Sequence, residues 1–220
     1  MTNASEKSET AAKRGLVLHA AATYDLLISP VTIGRERAFR ETMLRLAHLE
    51  PGESVLDVGC GTGSLAIAAK RQVGPRGTVC GLDASVEMVT RAEKKARKAG
   101  VDVIFKNAFA QSLPYPVAQF DVVLTTIMLH HLTKKGRGEL VVEIRRVLKP
   151  GGRVLAIDFG RTARERKSFL DHFHHRHGQV EFYEIISLLN SAGLNVAENG
   201  AVGMLDLEFV LAKLPVAHEP

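Results

Sequence analysis

The sequence predicts an α/β protein with a seven-stranded, mostly parallel sheet, helices on both faces and a helical segment at the N-terminus. Three observations support this fold class. Short runs rich in Val, Ile and Leu alternate with helical patterns of about ten to fifteen residues, which is typical of βαβ units. A glycine-rich turn, GCGTG, joins the first such run to its helix. The chain has 220 residues, of which 45% are hydrophobic, so it can bury one substantial core.

Two helices are predicted before the sheet begins. Apolar residues at helical spacing predict one helix over residues 16–28, which Pro30 ends, and a second over residues 35–49. The Glu-Pro-Gly sequence that follows is typical of a break between elements. We therefore expect residues 1–50 to form an N-terminal helical cap.

The rest of the chain alternates between strands and helices. The predicted strands cover residues 54–58, 78–82, 101–105, 120–125, 153–158, 195–198 and 204–211. The predicted helices cover residues 64–72, 86–98, a segment that ends near residue 148, and 180–190. Ser85 is a good N-cap for the second of these helices, and Gly100 is a good stop. We expect one domain over residues 51–212, with a His-rich insertion at residues 160–178, and a tail over residues 213–220.

Composition excludes several classes of protein. Cys60 and Cys80 are too few for a disulfide framework and do not form a C-x-x-C pair, which indicates a reducing compartment. No apolar run approaches the ~20 residues that span a bilayer. The first ten residues are polar and resemble no secretory signal. We therefore expect a cytoplasmic protein.

The segment VLDVGCGTG, residues 55–63, is the most informative part of the chain. Gly59, Gly61 and Gly63 permit positive φ angles and let backbone N–H groups approach a ligand, and the helix behind them favours an electronegative group. Asp83 ends the second predicted strand, about 20 residues on, where an acid accepts hydrogen bonds from ribose hydroxyls. This combination predicts a nucleotide-type ligand. The alternative is a tight turn without a ligand.

The residues of this loop disfavour NAD. The dinucleotide fingerprint G-x-G-x-x-G would need a third glycine at position 64, which is Ser64, whereas the third glycine is Gly63. Asp57 would repel a pyrophosphate, but it suits the ammonium or sulfonium of S-adenosylmethionine. An NAD-dependent oxidoreductase remains an alternative.

Four motifs in order carry a resemblance to a known family. LDVGCGTG resembles the first motif of class I S-adenosylmethionine-dependent methyltransferases, which have a Rossmann-like fold. GLDAS at 81–85 resembles their second-strand motif, FDVVLTT with LHHL at 120–132 their fourth-strand region, and RVLKPGG at 146–152 the turn before their fifth strand. The resemblance implies a S-adenosylmethionine cofactor, released as S-adenosylhomocysteine, bound by the domain at 51–212.

Within that family, the chain resembles the ubiquinone/menaquinone-biosynthesis group, also called methyltransferase type 11. Tyr24-Asp25 followed by Ser29 is similar to that group's N-terminal signature, and RVLKPGGRVLAID to a later one. The sequence departs from the group at Asp158 and Gly160, where Glu and Ser are usual. The resemblance implies a small-molecule or lipid-like acceptor, and methylation of a phospholipid headgroup is the alternative.

The resemblance also implies a role for individual residues. Those expected to contact the cofactor are Tyr24, Asp57, Gly59, Cys60, Gly61, Gly63, Asp83, Ala84, Met88, Asn107, Ala108, Phe109 and Thr125. The glycine loop turns around the methionine part, Asp57 faces its ammonium group and Asp83 holds the ribose. Asn107 presents its carbonyl to the adenine amino group, and Thr125 lines the pocket near the methionine. Core packing is the alternative for Met88 and for Tyr24.

Histidines suggest two further hypotheses. His130, which follows the fourth strand, is the candidate catalytic base, but LHHL is common in the family. The cluster DHFHHRH at 171–177 invites a metal hypothesis, but nothing else in the chain completes a signature, so no functional metal is expected. A substrate-covering cap is the preferred interpretation of this cluster.

The net charge of +5 is unevenly distributed along the chain. Most of the excess lies on predicted helix faces at 91–98 and 134–149, which is typical of a solvated surface. Residues 161–176 place basic side chains beside the predicted substrate entrance, which favours an anionic substrate or peripheral contact with a membrane. No nucleic acid partner is expected, because the chain has neither an appended RNA-binding module nor an RNP-like aromatic motif. A nucleic-acid-binding protein is, with the NAD-dependent oxidoreductase, the alternative from another functional class. The sequence makes no prediction of oligomeric state.

Overall fold

The computed structural model describes residues 36–160, 182–204 and 206–216. The predicted helix at 16–28, Tyr24 and most of the His-rich insertion lie outside the described residues. No helix within the described ranges is both long and apolar enough to cross a bilayer.

The described chain forms five α-helices, a short 3-10 helix and one sheet of seven strands. In chain order the elements are α1 (Glu36–Leu46), β1 (Ser54–Val58), α2 (Ser64–Val73), β2 (Thr78–Asp83), α3 (Val86–Ala99), β3 (Ile104–Asn107), β4 (Phe120–Thr126), the 3-10 helix (Leu129–His131), α4 (Lys134–Val147), β5 (Leu148–Phe159), α5 (Phe182–Ser191), β6 (Asn195–Ala201) and β7 (Leu207–Lys213).

The strand order is β3-β2-β1-β4-β5-β7-β6. Strands β1 to β5 pair in parallel, and β7 lies antiparallel to both β5 and β6. Strands β2 and β3 are added on one side of β1, whereas β4 and β5 are added on its other side, so the topological switch point lies between β1 and β4. Ligands of open α/β sheets bind at the carboxyl ends of the strands beside such a switch point. The predicted fold class is confirmed, and the topology places the binding region after β1, β2 and β4.

Helices cover both faces of the sheet. On one face α4 and α5 contribute buried apolar residues, including Leu140, Ile144, Ile185 and Leu189. On the other face α1 and α2 contribute Met43, Leu44, Ala66 and Ala69. Because both faces are covered, the central strands are apolar along most of their length rather than alternating.

The third strand starts later than predicted. It was expected over residues 101–105 and covers Ile104–Asn107. Gly100 adopts a left-handed conformation at the end of α3, and the N–H of Val101 donates to the carbonyl of Ala96 at 3.2 Å. Val101 is therefore part of the helix stop rather than the strand.

The fifth and seventh strands also differ from the predictions in their bounds. The fifth begins at Leu148, which pairs with Phe120 across an irregularity in the register, instead of at Arg153. The seventh begins at Leu207, because the N–H of Leu207 donates to the carbonyl of Met204 at 3.1 Å and forms a turn where the strand was expected.

Arg153 on β5 ties the segment between α1 and β1 to the sheet. Its Nε donates to the carbonyl of Ala47 at 2.7 Å and its Nη2 to the carbonyl of His48 at 2.6 Å. Its guanidinium also forms a bidentate pair with Glu53, at 2.7 and 2.9 Å. The two side chains of this pair are only 12% and 16% exposed, so little water competes with the pair.

We predict that Arg153→Lys lowers the free energy of unfolding by about 1–3 kcal/mol, since lysine keeps the charge but loses the planar fork. Arg37→Lys is the matched control, because Arg37 pairs with Glu41 at 2.7 Å on the exposed face of α1. The control should leave stability almost unchanged, because water and salt screen an exposed ion pair. Urea unfolding measures both, and equal effects would contradict the assigned role of Arg153.

Candidate functional site

The glycine loop lies between β1 and α2, at the switch point. Gly59, Gly61 and Gly63 have φ angles of 74°, 52° and 76°. The N–H groups of Gly59 and Cys60 donate to the carbonyl of Leu82 at 2.8 and 2.9 Å, which folds the loop against the end of β2. Gly63 is the N-cap of α2 and provides no side-chain cap. The first turn of α2 therefore presents main-chain donors to this region.

Close packing leaves no room for a side chain at two of these glycines. A Cβ placed on Gly59 would lie 2.8 Å from both Cβ and Cγ of Met128. A Cβ placed on Gly63 would lie 2.8 Å from Cβ of Ala92 and from Cζ of Phe105. Glycine is therefore required both by conformation and by space.

Asp83 clamps the loop from the end of β2. Its Oδ2 accepts the N–H of Gly61 at 2.9 Å, and its Oδ1 accepts the N–H of Ser85 at 2.8 Å. Burial raises the pKa of Asp83, whereas the N–H groups of Ser85, Gly61 and Ala84 lower it. Each carboxylate oxygen has a second acceptor position, so Asp83 can also accept hydrogen bonds from a ligand's hydroxyl groups.

Asp57 is a buried carboxylate that lacks a full set of partners. It is 2% exposed, and its Oδ2 has no hydrogen-bond partner in the described part of the chain. Burial, followed by the negative charge of Asp83, raises the pKa of Asp57 to about 7, although an N–H donated by Ala66 lowers it. A buried anion with an unsatisfied oxygen is unfavourable, and a cationic group beside it would relieve the penalty.

The residues predicted to contact adenine lie around the ends of β2 and β3. The side-chain Nδ2 of Asn107 donates to the carbonyl of Asp83 at 2.9 Å, and the N–H of Ala108 donates to the same carbonyl at 3.1 Å. Because the amide nitrogen of Asn107 is used here, its carbonyl oxygen is the atom left to accept from an adenine amino group. Ala84 is half-buried and Phe109 is 36% exposed, so both lie at the surface of this region.

Met88, Cys60 and Thr125 are all buried. Met88 is 3% exposed on α3, which agrees with the core-packing alternative. The thiol of Cys60 donates to the carbonyl of Gly61 at 3.8 Å, and burial raises its pKa, so this cysteine stays a neutral thiol. Thr125 is 1% exposed, and its Oγ1 has no partner among the described residues. It pairs with Val58 of β1 and lies beside the strand that leads into the glycine loop.

His130 is held by an acid that the sequence did not assign to the site. Nδ1 of His130 lies 2.8 Å from Oδ1 of Asp158, and the main-chain N–H of His130 donates to Oδ2 at 3.1 Å. Asp158 is completely buried near the carboxyl end of β5, next to β4. The sequence did contain one signal for this pairing. Asp158 ends the predicted fifth strand, and LHHL follows the fourth strand, beside which the fifth lies in the sheet. Within the described ranges, no group of three or more His, Cys, Asp or Glu could hold a metal ion.

Comparison with known proteins agrees with this geometry. Residues 55–152 match the family model described as a methyltransferase domain. The chain is 35% identical over 158 residues to the ubiquinone/menaquinone biosynthesis C-methyltransferase UbiE of Ralstonia pickettii (strain 12J), covering 71% of this chain and 64% of that protein. It is 32% identical over 167 residues to the UbiE of Cupriavidus metallidurans, covering 76% and 68%. The chain belongs to the class I S-adenosylmethionine-dependent methyltransferases.

A solved structure supports the same family. The S-adenosylmethionine-dependent methyltransferase from Aquifex aeolicus matches with a TM-score of 0.68 and 26% identity, covering 80% of this chain and 89% of that chain. The residues of this methyltransferase also fit the cofactor that the family implies. Asp57 offers an unsatisfied buried oxygen, the glycine loop turns at the switch point through three positive φ angles, and Asp83 retains acceptor positions.

We predict that Gly59→Ala destabilises this methyltransferase more than Gly52→Ala does. Both glycines have positive φ angles, which costs alanine about 1 kcal/mol. An added Cβ at Gly52 meets nothing within 4 Å, whereas one at Gly59 collides with Met128 and should cost about 1–3 kcal/mol more. Chemical unfolding measures the difference, and calorimetry should show weaker S-adenosylhomocysteine binding for Gly59→Ala alone. Equal losses of stability in Gly59→Ala and Gly52→Ala, with unchanged affinity for S-adenosylhomocysteine, would contradict the role assigned to Gly59.

We predict that Asp57→Asn makes the stability of the protein less sensitive to pH. The folded pKa of about 7 lies above the unfolded value near 3.9, so the folded state retains the proton longer and Asp57 lowers stability as pH rises through 7. Between pH 5 and pH 8 the wild type should lose about 2–3 kcal/mol relative to Asp57→Asn. Urea unfolding at both values measures this difference, and parallel pH curves would contradict it.

Proposed function

We propose that this chain transfers the methyl group of S-adenosylmethionine to a nucleophilic atom of a small-molecule or lipid-like acceptor. The observation that carries the proposal is the buried, partly unsatisfied carboxylate of Asp57 beside the glycine loop. Such a group is unfavourable in an empty protein and suits a ligand that carries an ammonium group next to a carboxylate and a ribose.

The residues around the loop divide the binding task by chemistry. Asp57 pairs with the ammonium group, and the backbone donors of the loop and of the first turn of α2 approach the carboxylate. Asp83 accepts hydrogen bonds from the ribose hydroxyls while it continues to hold Gly61. Asn107 and Ala108 at the end of β3 border the adenine. Tyr24 stays in the proposal as a residue that covers the cofactor.

Methyl transfer mainly requires alignment and exclusion of water. The bound cofactor supplies an electrophilic methyl group on a positively charged sulfur. The protein orients the acceptor's nucleophilic atom towards that methyl group, in line with the bond that breaks. Buried side chains around the site, such as Thr125 and Met88, exclude water that would otherwise solvate the reacting groups.

The acceptor is proposed from the relatives. Those named above are C-methyltransferases of quinone biosynthesis. We therefore propose a carbon acceptor in a lipid-like or small molecule for this chain, in preference to the nitrogen of a phospholipid headgroup. The positive net charge of +5 is compatible with an acceptor delivered at an anionic membrane surface.

Two experiments test the proposal. Calorimetry of the purified protein should detect binding of S-adenosylhomocysteine and no binding of NAD. Binding of NAD alone would contradict the proposed cofactor.

The second experiment tests the acceptor. Incubation with methyl-labelled S-adenosylmethionine and a cell extract should place the label in the lipid or small-molecule fraction. Label in a carbon-bound methyl group supports the acceptor class proposed here, whereas label confined to headgroup nitrogen or to nucleic acid would overturn it.

We predict that Asp83→Ala weakens S-adenosylhomocysteine binding by about 1–3 kcal/mol, because charge-assisted hydrogen bonds to the ribose are lost. Asp121→Asn is the matched control. Asp121 also accepts a main-chain N–H, from Ser54 at 2.8 Å, but at the opposite end of β1. The control should therefore alter stability without altering affinity, and calorimetry distinguishes the two. Unchanged affinity in Asp83→Ala would contradict the assigned role.

A further inference from the structure

We propose that Asp158 is a positioning residue that holds His130 as the general base of the reaction, with the ring proton on Nδ1 and the basic lone pair on Nε2. This inference rests on the proposed function, because the base acts on the methyl acceptor. It assigns a role to Asp158, and it specifies which nitrogen of His130 takes the proton.

The hydrogen bonds of Asp158 determine the state of the ring. Oδ1 accepts the N–H of Phe159 at 2.8 Å and lies 2.8 Å from Nδ1 of His130, while Oδ2 accepts the N–H of His130 at 3.1 Å. Each oxygen of this buried side chain thus accepts a main-chain N–H, so both oxygens act as hydrogen-bond acceptors. A carboxylate can only accept, so Nδ1 of His130 must carry the proton that it donates. In a neutral imidazole the lone pair then lies on Nε2.

The backbone before His130 is arranged for this contact. Ile127, at the end of β4, has a φ angle of 53°, which is strained for a β-branched residue. Its N–H donates to the carbonyl of Ile157 at 2.7 Å, and this bond anchors it to β5. The turn directs the chain into the 3-10 helix that carries His130. The strained conformation places the histidine over the end of the strand that carries Asp158.

The same turn contacts the cofactor loop. Met128, the N-cap of the 3-10 helix, packs so closely on Gly59 that a Cβ on that glycine would collide with it. The pair therefore lies at the carboxyl edge of β4 and β5, adjacent to the loop after β1. This edge is where the acceptor must meet the cofactor in a parallel α/β sheet.

Neighbouring rings fix the orientation of the imidazole further. The His130 ring lies 3.9 Å from the His131 ring and 5.6 Å from the Phe159 ring, measured between centroids. The side chain of His130 is 17% exposed, whereas that of Asp158 is fully buried. The imidazole therefore contacts a fully buried carboxylate and is itself partly accessible, and a base that acts on an acceptor needs such access.

The proposed step applies to an acceptor whose O–H group is conjugated to the reacting carbon. The O–H bond breaks and its proton goes to Nε2 of His130. The electron pair moves through the acceptor, so that its carbon forms a bond to the methyl group, and the C–S bond breaks with its electrons remaining on sulfur. The methylated carbon then loses its own proton to solvent, and the imidazolium returns its proton to the acceptor oxygen, so that the O–H group reforms and one proton is released overall.

The state of the ring can be measured without turnover. In protein labelled with ¹⁵N-histidine and bound to S-adenosylhomocysteine, NMR correlations between the ring nitrogens and carbon-bound protons identify the protonated nitrogen, and the spectrum of His130→Gln assigns the signals. We expect wild-type His130 to carry its proton on Nδ1. In Asp158→Asn the amide can donate to Nδ1, so the proton should move to Nε2. An Nε2–H tautomer in the wild type would overturn the proposal, whether or not the variant folds.

Turnover provides the second measurement, with label transfer from S-adenosylmethionine into the acceptor fraction of the extract. We expect His130→Gln and Asp158→Asn each to lower kcat about 100-fold or more, with KM within about threefold and S-adenosylhomocysteine affinity unchanged. His48→Gln is the matched control, because His48 also lies 2.8 Å from a carboxylate, that of Glu198, but on the exposed surface. It should leave kcat unchanged.

The outcomes separate the two proposals. Retained kcat in Asp158→Asn, or a parallel loss of kcat and cofactor affinity, would show that Asp158 is merely structural and would overturn the inference. An Nδ1–H tautomer in a wild-type protein that transfers no label to any acceptor would instead contradict the proposed function while leaving the geometry of the pair intact.

Discussion

The hydrogen bond from the N–H of Gly61 to the carboxylate of Asp83, 2.9 Å long, is the contact on which the site depends. It joins the loop after β1 to the end of β2, and the same carboxylate also accepts the N–H of Ser85, the N-cap of α3. One side chain thus sets the spacing of two strand ends and the start of a helix. The positive φ angles of the glycines follow from this closure, because only a sharply turned loop reaches Asp83.

The same closure creates an electrostatic problem that a cationic ligand can solve. Asp57 and Asp83 lie on adjacent strands, and burial together with the charge of Asp83 raises the pKa of Asp57 to about 7. Ionisation of Asp57 in the folded protein is therefore unfavourable when no cation is present. A cationic ligand would remove this penalty, and its binding free energy would then include the relief of the burial cost.

Local patterns predicted much of the fold, because its determinants are local. The strand at Ser54–Val58, the cap at Ser85 and the stop at Gly100 follow from short-range periodicity and capping chemistry. The third strand was placed three residues early, because the pairing partner of Ile104 is Cys80 on β2, and that contact is not encoded locally. Where apolar runs are short, tertiary pairing decides which residues form the strand.

The candidate site was predictable to a similar extent. Asp57 and Asp83 were identified because each holds a fixed offset from the glycines. Asp158 was not, because its relation to His130 depends on β4 and β5 lying side by side and on the backbone turn at Ile127. Tyr24 and the His-rich segment lie outside the described residues and stay predictions. Sequence spacing thus recovers contacts within one βα unit better than contacts between units.

Proton release on ligand binding tests the central claim most directly, namely that a buried Asp57 awaits a cationic partner. Calorimetry of S-adenosylhomocysteine binding at pH 6, in buffers with different ionisation enthalpies, gives the number of protons released. With the pKa of Asp57 at about 7, the group is largely protonated at pH 6 and should ionise beside the ammonium group, releasing about one proton. Asp57→Asn should release none. Binding to the wild type without proton release at pH 6 would contradict the account.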